Sequence, residues 1–159
     1  MISVLDLLVA LATLLASAPP DVRIRDLEAR LFCYQTATFS DDIIGDNPPA
    51  LWNTIIGAGG GGCKSYETLV LAVIDGPKNA YLGDVRVALT ASYAPSRAGG
   101  RTVVVGDTLR LGIPGANGVV YVPLWLPRTG CATVELRATL LGGAHPSVRN
   151  ETIPFECGE

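Results

Sequence analysis

The sequence predicts an all-β domain, built as two packed antiparallel layers. Three observations carry this. Short apolar runs alternating with polar residues recur after residue 20. The 18 glycines and 11 prolines supply turn signals between them, and after that point there are no long stretches rich in Ala, Glu, Lys and Leu. At 159 residues and 48% hydrophobic, the chain can bury one proper core but is too short for two comfortable domains. Residues 21–159 therefore read as a single unit.

The opening segment, MISVLDLLVALATLLASAPP, differs from everything behind it. Its apolar run from Val4 to Leu15 is broken only by Asp6 and Thr13, and the small residues Ala16, Ser17 and Ala18 follow, which is the layout of a secretory signal with an A-x-A cut. A signal peptide over residues 1–18 is expected, although no basic residue precedes the run and Pro19 would follow the cut. The alternative is a retained helix. Val4 to Ala18 gives fifteen residues where a stable span takes about 20, so a membrane is a partner only if this segment persists. An apolar helix with one early acidic residue ahead of a β-rich head is similar in layout to type IV pilins. That resemblance implies a filament subunit, but the charged leader ending in Gly and the longer helix of that family are missing.

The strands follow in order. Leu27, Ala29, Leu31 and Cys33 alternate with Glu28, Arg30, Phe32 and Tyr34, giving a first strand whose second face changes from charged to aromatic. ETLVLAVIDG (67–76) is continuously apolar and bounded by Gly-Pro, as expected of a strand covered on both faces. VRVALTASY (85–93) alternates cleanly, and RTVVVGDTLRLG (101–112) holds one strand with room for a second after Gly106. In VVYVPLWLP (119–127), Pro123 removes a ladder donor and marks a sheet edge. ATVELRATL (132–140) places Val134, Leu136 and Ala138 inward, and TIPFEC (152–157) closes the set with a second edge marker, Pro154. About seven such strands with turn clusters between them fit an immunoglobulin-like antiparallel β-sandwich, and two edge prolines argue against a closed barrel.

One connection, residues 37–62, is out of proportion, and unstructured loops of that length are uncommon unless they have a task. Ile43, Ile44, Leu51, Trp52, Ile55 and Ile56 are too apolar to float in water, so this part is expected to dock on the sandwich or form a short helical turn after Pro49. Gly59 to Gly62 read as a mobile linker. The stretch GAGGGGCKS (57–65) imitates two nucleotide motifs and completes neither. Cys63 stands between Gly62 and Lys64, which breaks the P-loop spacing, and the few residues before the next strand cannot form the helix whose N-terminus would hold a pyrophosphate. No nucleotide and no cofactor is expected.

Cys33, Cys63, Cys131 and Cys157 contain no C-x-x-C pair and His145 is the only histidine, which favours disulfides over zinc and agrees with export. Four cysteines permit three connectivities. If the last two strands form a hairpin, Cys131 meets Cys157, and the same logic pairs Cys33 with Cys63. His145 sits in a turn without a Ser or Cys nucleophile beside it, and Asp41, Asp42 and Asp46 lack the spacing of a calcium loop, so all four read as solvated surface. Asn150-Glu151-Thr152 is a glycosylation sequon. A net charge of -3 with scattered arginines offers no basic stripe for nucleic acid.

These observations point to a non-catalytic binding or assembly module in the periplasm or outside the cell, whose partner is a protein or envelope component. The candidate contacts are Leu51, Trp52, Ile55 and Ile56 on the long connection, together with Phe32 and Tyr34. Core packing is the favoured reading of Trp52, since large aromatics are mostly buried. A filament subunit and a small secreted hydrolase are the alternatives.

Overall fold

The computed structural model describes residues 20–94 and 102–158, so the apolar segment expected to be a signal or anchor lies outside the described residues. Eight strands form two antiparallel sheets: β1 (Arg23–Cys33), β2 (Thr38–Phe39), β3 (Glu67–Asp75), β4 (Arg86–Tyr93), β5 (Val103–Arg110), β6 (Val119–Pro127), β7 (Thr133–Leu141) and β8 (Ser147–Pro154). The orders are β2-β1-β3-β6 and β5-β4-β7-β8, four strands each. No ladder joins the two sheets among the described residues, so the architecture is a sandwich rather than a barrel. Pro123 on β6 and Pro154 on β8 both lie on edge strands, where a missing N–H costs no ladder bond.

Alternation decides which side chains meet between the layers. Leu27, Ala29, Leu31 and Cys33 of β1 are buried, as are Val87, Leu89 and Ala91 of β4 and Val134, Leu136 and Ala138 of β7. β3 departs from its reading. Thr68, Val70, Ala72 and Ile74 face the core, and Val73 is covered on the outer side, but Leu69 and Leu71 are only half-buried, because the described residues form no third layer over them. β5 runs unbroken through Gly106, whose missing side chain leaves room for Thr90 on β4: a Cβ there would stand 3.0 Å from the Thr90 methyl. β8 begins at Ser147, five residues ahead of its expected start, and ends before Cys157.

The disulfides join Cys33 to Cys63 and Cys131 to Cys157, each with a Cα–Cα distance of 5.0 Å, which is the pairing the hairpin logic favours. Closing loops with sequence separations of 30 and 26 removes unfolded-state entropy worth about 3–4 kcal/mol each in the chain-entropy account. Two polar contacts lie within the core at the same end, and the first of them crosses it. The Tyr93 hydroxyl donates to the Pro127 carbonyl at 2.6 Å, tying β4 of one sheet to β6 of the other, and the buried hydroxyls of Thr68 and Thr129 share a bond of 2.7 Å. Burial holds the Tyr93 phenol above its ordinary value of 10.0, with Arg128 acting in the opposite direction.

Candidate contact site at the disulfide end

The 37–62 connection docks as expected, and the way it does so redefines several of its residues. Beyond the two residues of β2 it continues along the edge of β1. Ser40 N–H donates to Leu31 O at 2.9 Å and Ile43 N–H to Ala29 O at 2.8 Å. Between those bonds, side chains replace backbone as acceptors: Leu31 N–H donates to Ser40 Oγ and Ala29 N–H to Asp42 Oδ1, both at 2.9 Å. Asp42 is thus not a solvated loop acid. Its carboxylate satisfies an edge-strand donor and also accepts from Ile44 N–H at 3.2 Å. Among the described residues no group of three or more His, Cys, Asp or Glu is placed to hold a metal.

The glycine run is a folded turn rather than a mobile linker. A 3-10 turn over Thr54–Ile56 follows Pro49, as the composition suggests, and a second one covers Gly60–Gly62. Gly60, Gly61 and Gly62 all have positive φ, at 62°, 71° and 84°, where other residues are strained. Gly60 N–H donates to Ala50 O at 2.7 Å, and a Cβ on Gly60 would meet Leu31 Cδ1 at 2.7 Å. Glycine is needed at positions 60 to 62 for conformation and at 59 and 60 for close approach. No α-helix follows them, so the arrangement that would present amides to a phosphate is missing from the described chain.

Trp52 reverses its expectation. Asn53 N–H donates to Glu156 O at 2.7 Å and Glu156 N–H to Leu51 O at 3.1 Å, so residues 51–53 pair with the chain beyond β8. In such an extended segment neighbours point opposite ways: Leu51 takes the inward place at 6% exposure, and Trp52 is turned out, 49% exposed. Leu51 is therefore mostly buried in the core and reaches the surface only as part of the lining of the cleft beside Trp52. One side of the indole rests on Gly158, where a Cβ would come within 3.0 Å of Cε2. Ile55 is half-buried and Ile56 fully turned out, 68% exposed. Beside Trp52 an open cleft of about 400 Å³ separates the connection from β8. Ile43, Ile44, Pro49 and Trp52 form one wall, Thr152 and Pro154 the other, and Glu151 and Glu156 complete it.

Phe32 and Tyr34 lie away from this cleft, on the outer face of the β2-β1-β3-β6 sheet. Phe32 is the centre of a cluster, its ring centroid 5.4 Å from Tyr34, 5.5 Å from Phe39 and 6.2 Å from Trp125. Tyr66 joins it beside Tyr34 at 5.7 Å. The Tyr34 phenol is held above its ordinary value of 10.0, first by partial desolvation and then by the Glu67 carboxylate. Phe39, Tyr66 and Trp125 are not among the sequence candidates. The alternation of Tyr121, Pro123 and Trp125 in β6 could have exposed Trp125 as outward-facing. His145 and Asn150 are both exposed. Comparison with protein-family profiles, characterised proteins and solved structures finds no match.

Proposed function

We propose that this chain is an exported, non-catalytic binding module of immunoglobulin-like type, which holds a protein or envelope component at its disulfide end through Trp52, Ile56 and the cleft beside them. The observation that carries the reading is the outward Trp52. A large aromatic held half-open by backbone pairing on both sides is a costly surface unless something covers it, and such anchors dominate interface energetics. Two disulfides fit an oxidising, exported location. No helix among the described residues is long and apolar enough to cross a membrane. The immunoglobulin-like assignment is supported by strand order: β1-β3-β6 and β4-β7-β8 follow the A-B-E and C-F-G neighbours of that fold, with β5 added beside β4.

The test is affinity capture from the cell envelope and medium with the wild type, Trp52→Ala and Val104→Ala, an exposed residue of β5 at the far edge of the sheet that ends in β8. A partner retained by wild type and Val104→Ala but lost with Trp52→Ala supports the reading. An identical partner set for all three removes it.

A further inference from the structure

The two outer faces of the sandwich are chemically unlike. The β5-β4-β7-β8 sheet presents Thr90, Thr108, Glu135, Arg137, Asn150 and Thr152 to solvent, interspersed with the exposed aliphatic side chains of Val104 and Val148 and with no exposed ring among its described residues. The β2-β1-β3-β6 sheet presents rings and aliphatic side chains. Tyr34, Phe39, Tyr66, Tyr121 and Trp125 are each between 41% and 51% exposed there, with half-buried Phe32, Leu69 and Leu71 between them. Phe39 on β2 and Trp125 on β6, from opposite edges of the sheet, reach across and meet with centroids 6.0 Å apart. We propose that this face is a homodimer interface, covered by the same face of a second copy of the chain.

Area, charge and edge chemistry favour a second copy. An aromatic side chain offers about 150–250 Å², so five that are nearly half open expose roughly 400–500 Å², and the intervening aliphatic and proline surface brings the patch toward the roughly 800 Å² per partner of a stable interface. Largest apolar patches on monomers are about 300–600 Å². The charged groups around the face cancel. Arg23 and Arg25 both meet Asp75 at 3.3 Å, and Arg30 meets Glu28 at 2.9 Å. With Glu67 and with Asp26, which meets Arg149 of β8 at 3.1 Å, the groups on and beside the face are four arginines against four carboxylates, a sum of zero. A face with excess charge would repel its own copy, and this one has none. Two copies of one sheet also share one twist, which lets them pack face to face as the layers of a sandwich do. Association through the edges of this sheet is hindered, because β6 carries Pro123 and Pro127 and β2 is only two residues long. The mutual ring contacts fix the cluster before association, which lowers the ordering cost.

The inference does not rest on the Trp52 cleft and is tested separately. Mass of the exported, disulfide-intact protein in solution is measured by light scattering and sedimentation, for wild type, Trp125→Lys, Leu71→Lys and Val104→Lys. Wild type and Val104→Lys are expected at twice the chain mass, and the two face variants at half that value with unchanged circular dichroism. Should Trp125→Lys fail to accumulate, Tyr121→Lys takes its place, since that ring is the most exposed of the five. Trp52→Ala is expected to keep the doubled mass even where it loses the partner of the cleft. A wild type at single-chain mass, face variants that remain doubled, or a loss of doubling in Val104→Lys or Trp52→Ala would each overturn the proposal.

Discussion

Replacing Ile43 with alanine asks whether the long connection is part of the core or a loop lying on it. Ile43 is 0% exposed although it lies outside every strand. Truncation removes three carbons, and at about 0.8 kcal/mol per buried CH₂ the transfer loss alone is about 2.4 kcal/mol. The backbone on either side cannot follow the shrinking side chain inward, because Ile43 N–H is held by Ala29 O at 2.8 Å and the Asp42 carboxylate bonds Ala29 and Ile44. Most of the cavity therefore persists and raises the cost to about 3–4 kcal/mol. In urea unfolding followed by tryptophan fluorescence, with both disulfides intact, a slope of about 2 kcal/mol/M turns this into a midpoint lowered by about 1.5–2 M. Ile56→Ala, four residues past Trp52 and turned to solvent, should move stability by no more than about 0.5 kcal/mol. If Ile43→Ala costs under about 1 kcal/mol, or if the two substitutions cost the same, the connection is not an integral part of the fold.

Two further outcomes follow from the covalent and polar links. Non-reducing peptide mapping should recover Cys33 with Cys63 and Cys131 with Cys157. Replacing the Cys33–Cys63 pair with serines should cost about 3–4 kcal/mol, and any other pairing would contradict the strand order. Tyr93→Phe removes the donor to the Pro127 carbonyl and should cost about 1–2 kcal/mol at neutral pH. Because burial holds the folded Tyr93 phenol above 10.0, its contribution is complete below the unfolded value and is lost as pH rises from there through the folded one. The stability difference between wild type and Tyr93→Phe should therefore narrow only above about pH 10. Tyr34 is shifted the same way but is present in both proteins, so the difference isolates Tyr93.

Period-two patterning made most of the sandwich readable. Where inward and outward positions differ in polarity, as in Ala132 to Leu140 or Val85 to Tyr93, the sequence states both the strand and its buried face. The prolines added the edges, since Pro123 and Pro154 could stand only where a donor is not needed. What was not readable depends on contacts distant in sequence. ETLVLAVIDG has the same apolar composition whether its outer side is covered by this chain or by nothing in it. Trp52 looks like core material until Glu156, more than a hundred residues away, fixes the backbone so that Leu51 points inward. The glycine run carries no side chains from which rigidity could be read. Its shape comes from the Ala50 carbonyl, which accepts from Gly60 N–H and leaves no room for a Cβ at Gly59, and from Leu31, which leaves none at Gly60.

The same contacts explain why the candidate site lies at this end of the molecule. Cys33, Cys63, Cys131 and Cys157 all fall where β1, β6 and β8 end and β3 and β7 begin. The Thr54 hydroxyl donates to Gly130 O at 3.3 Å and so ties the connection across to the second sheet. Gly130 itself has a φ of 101°, and a Cβ there would press on Ile55 at 2.9 Å. At the opposite end the strands are joined by ordinary turns without cross-links, such as the one where Gly118 N–H donates to Gly115 O. Binding loses less conformational entropy where the backbone is already constrained. Two covalent links, a backbone bridge and a buried threonine bond therefore constrain the surface beside Trp52 in the way the proposed contact requires, and Gly130→Ala, by disturbing Ile55 and Thr54 together, should reduce partner retention in the affinity capture without altering any residue of the cleft.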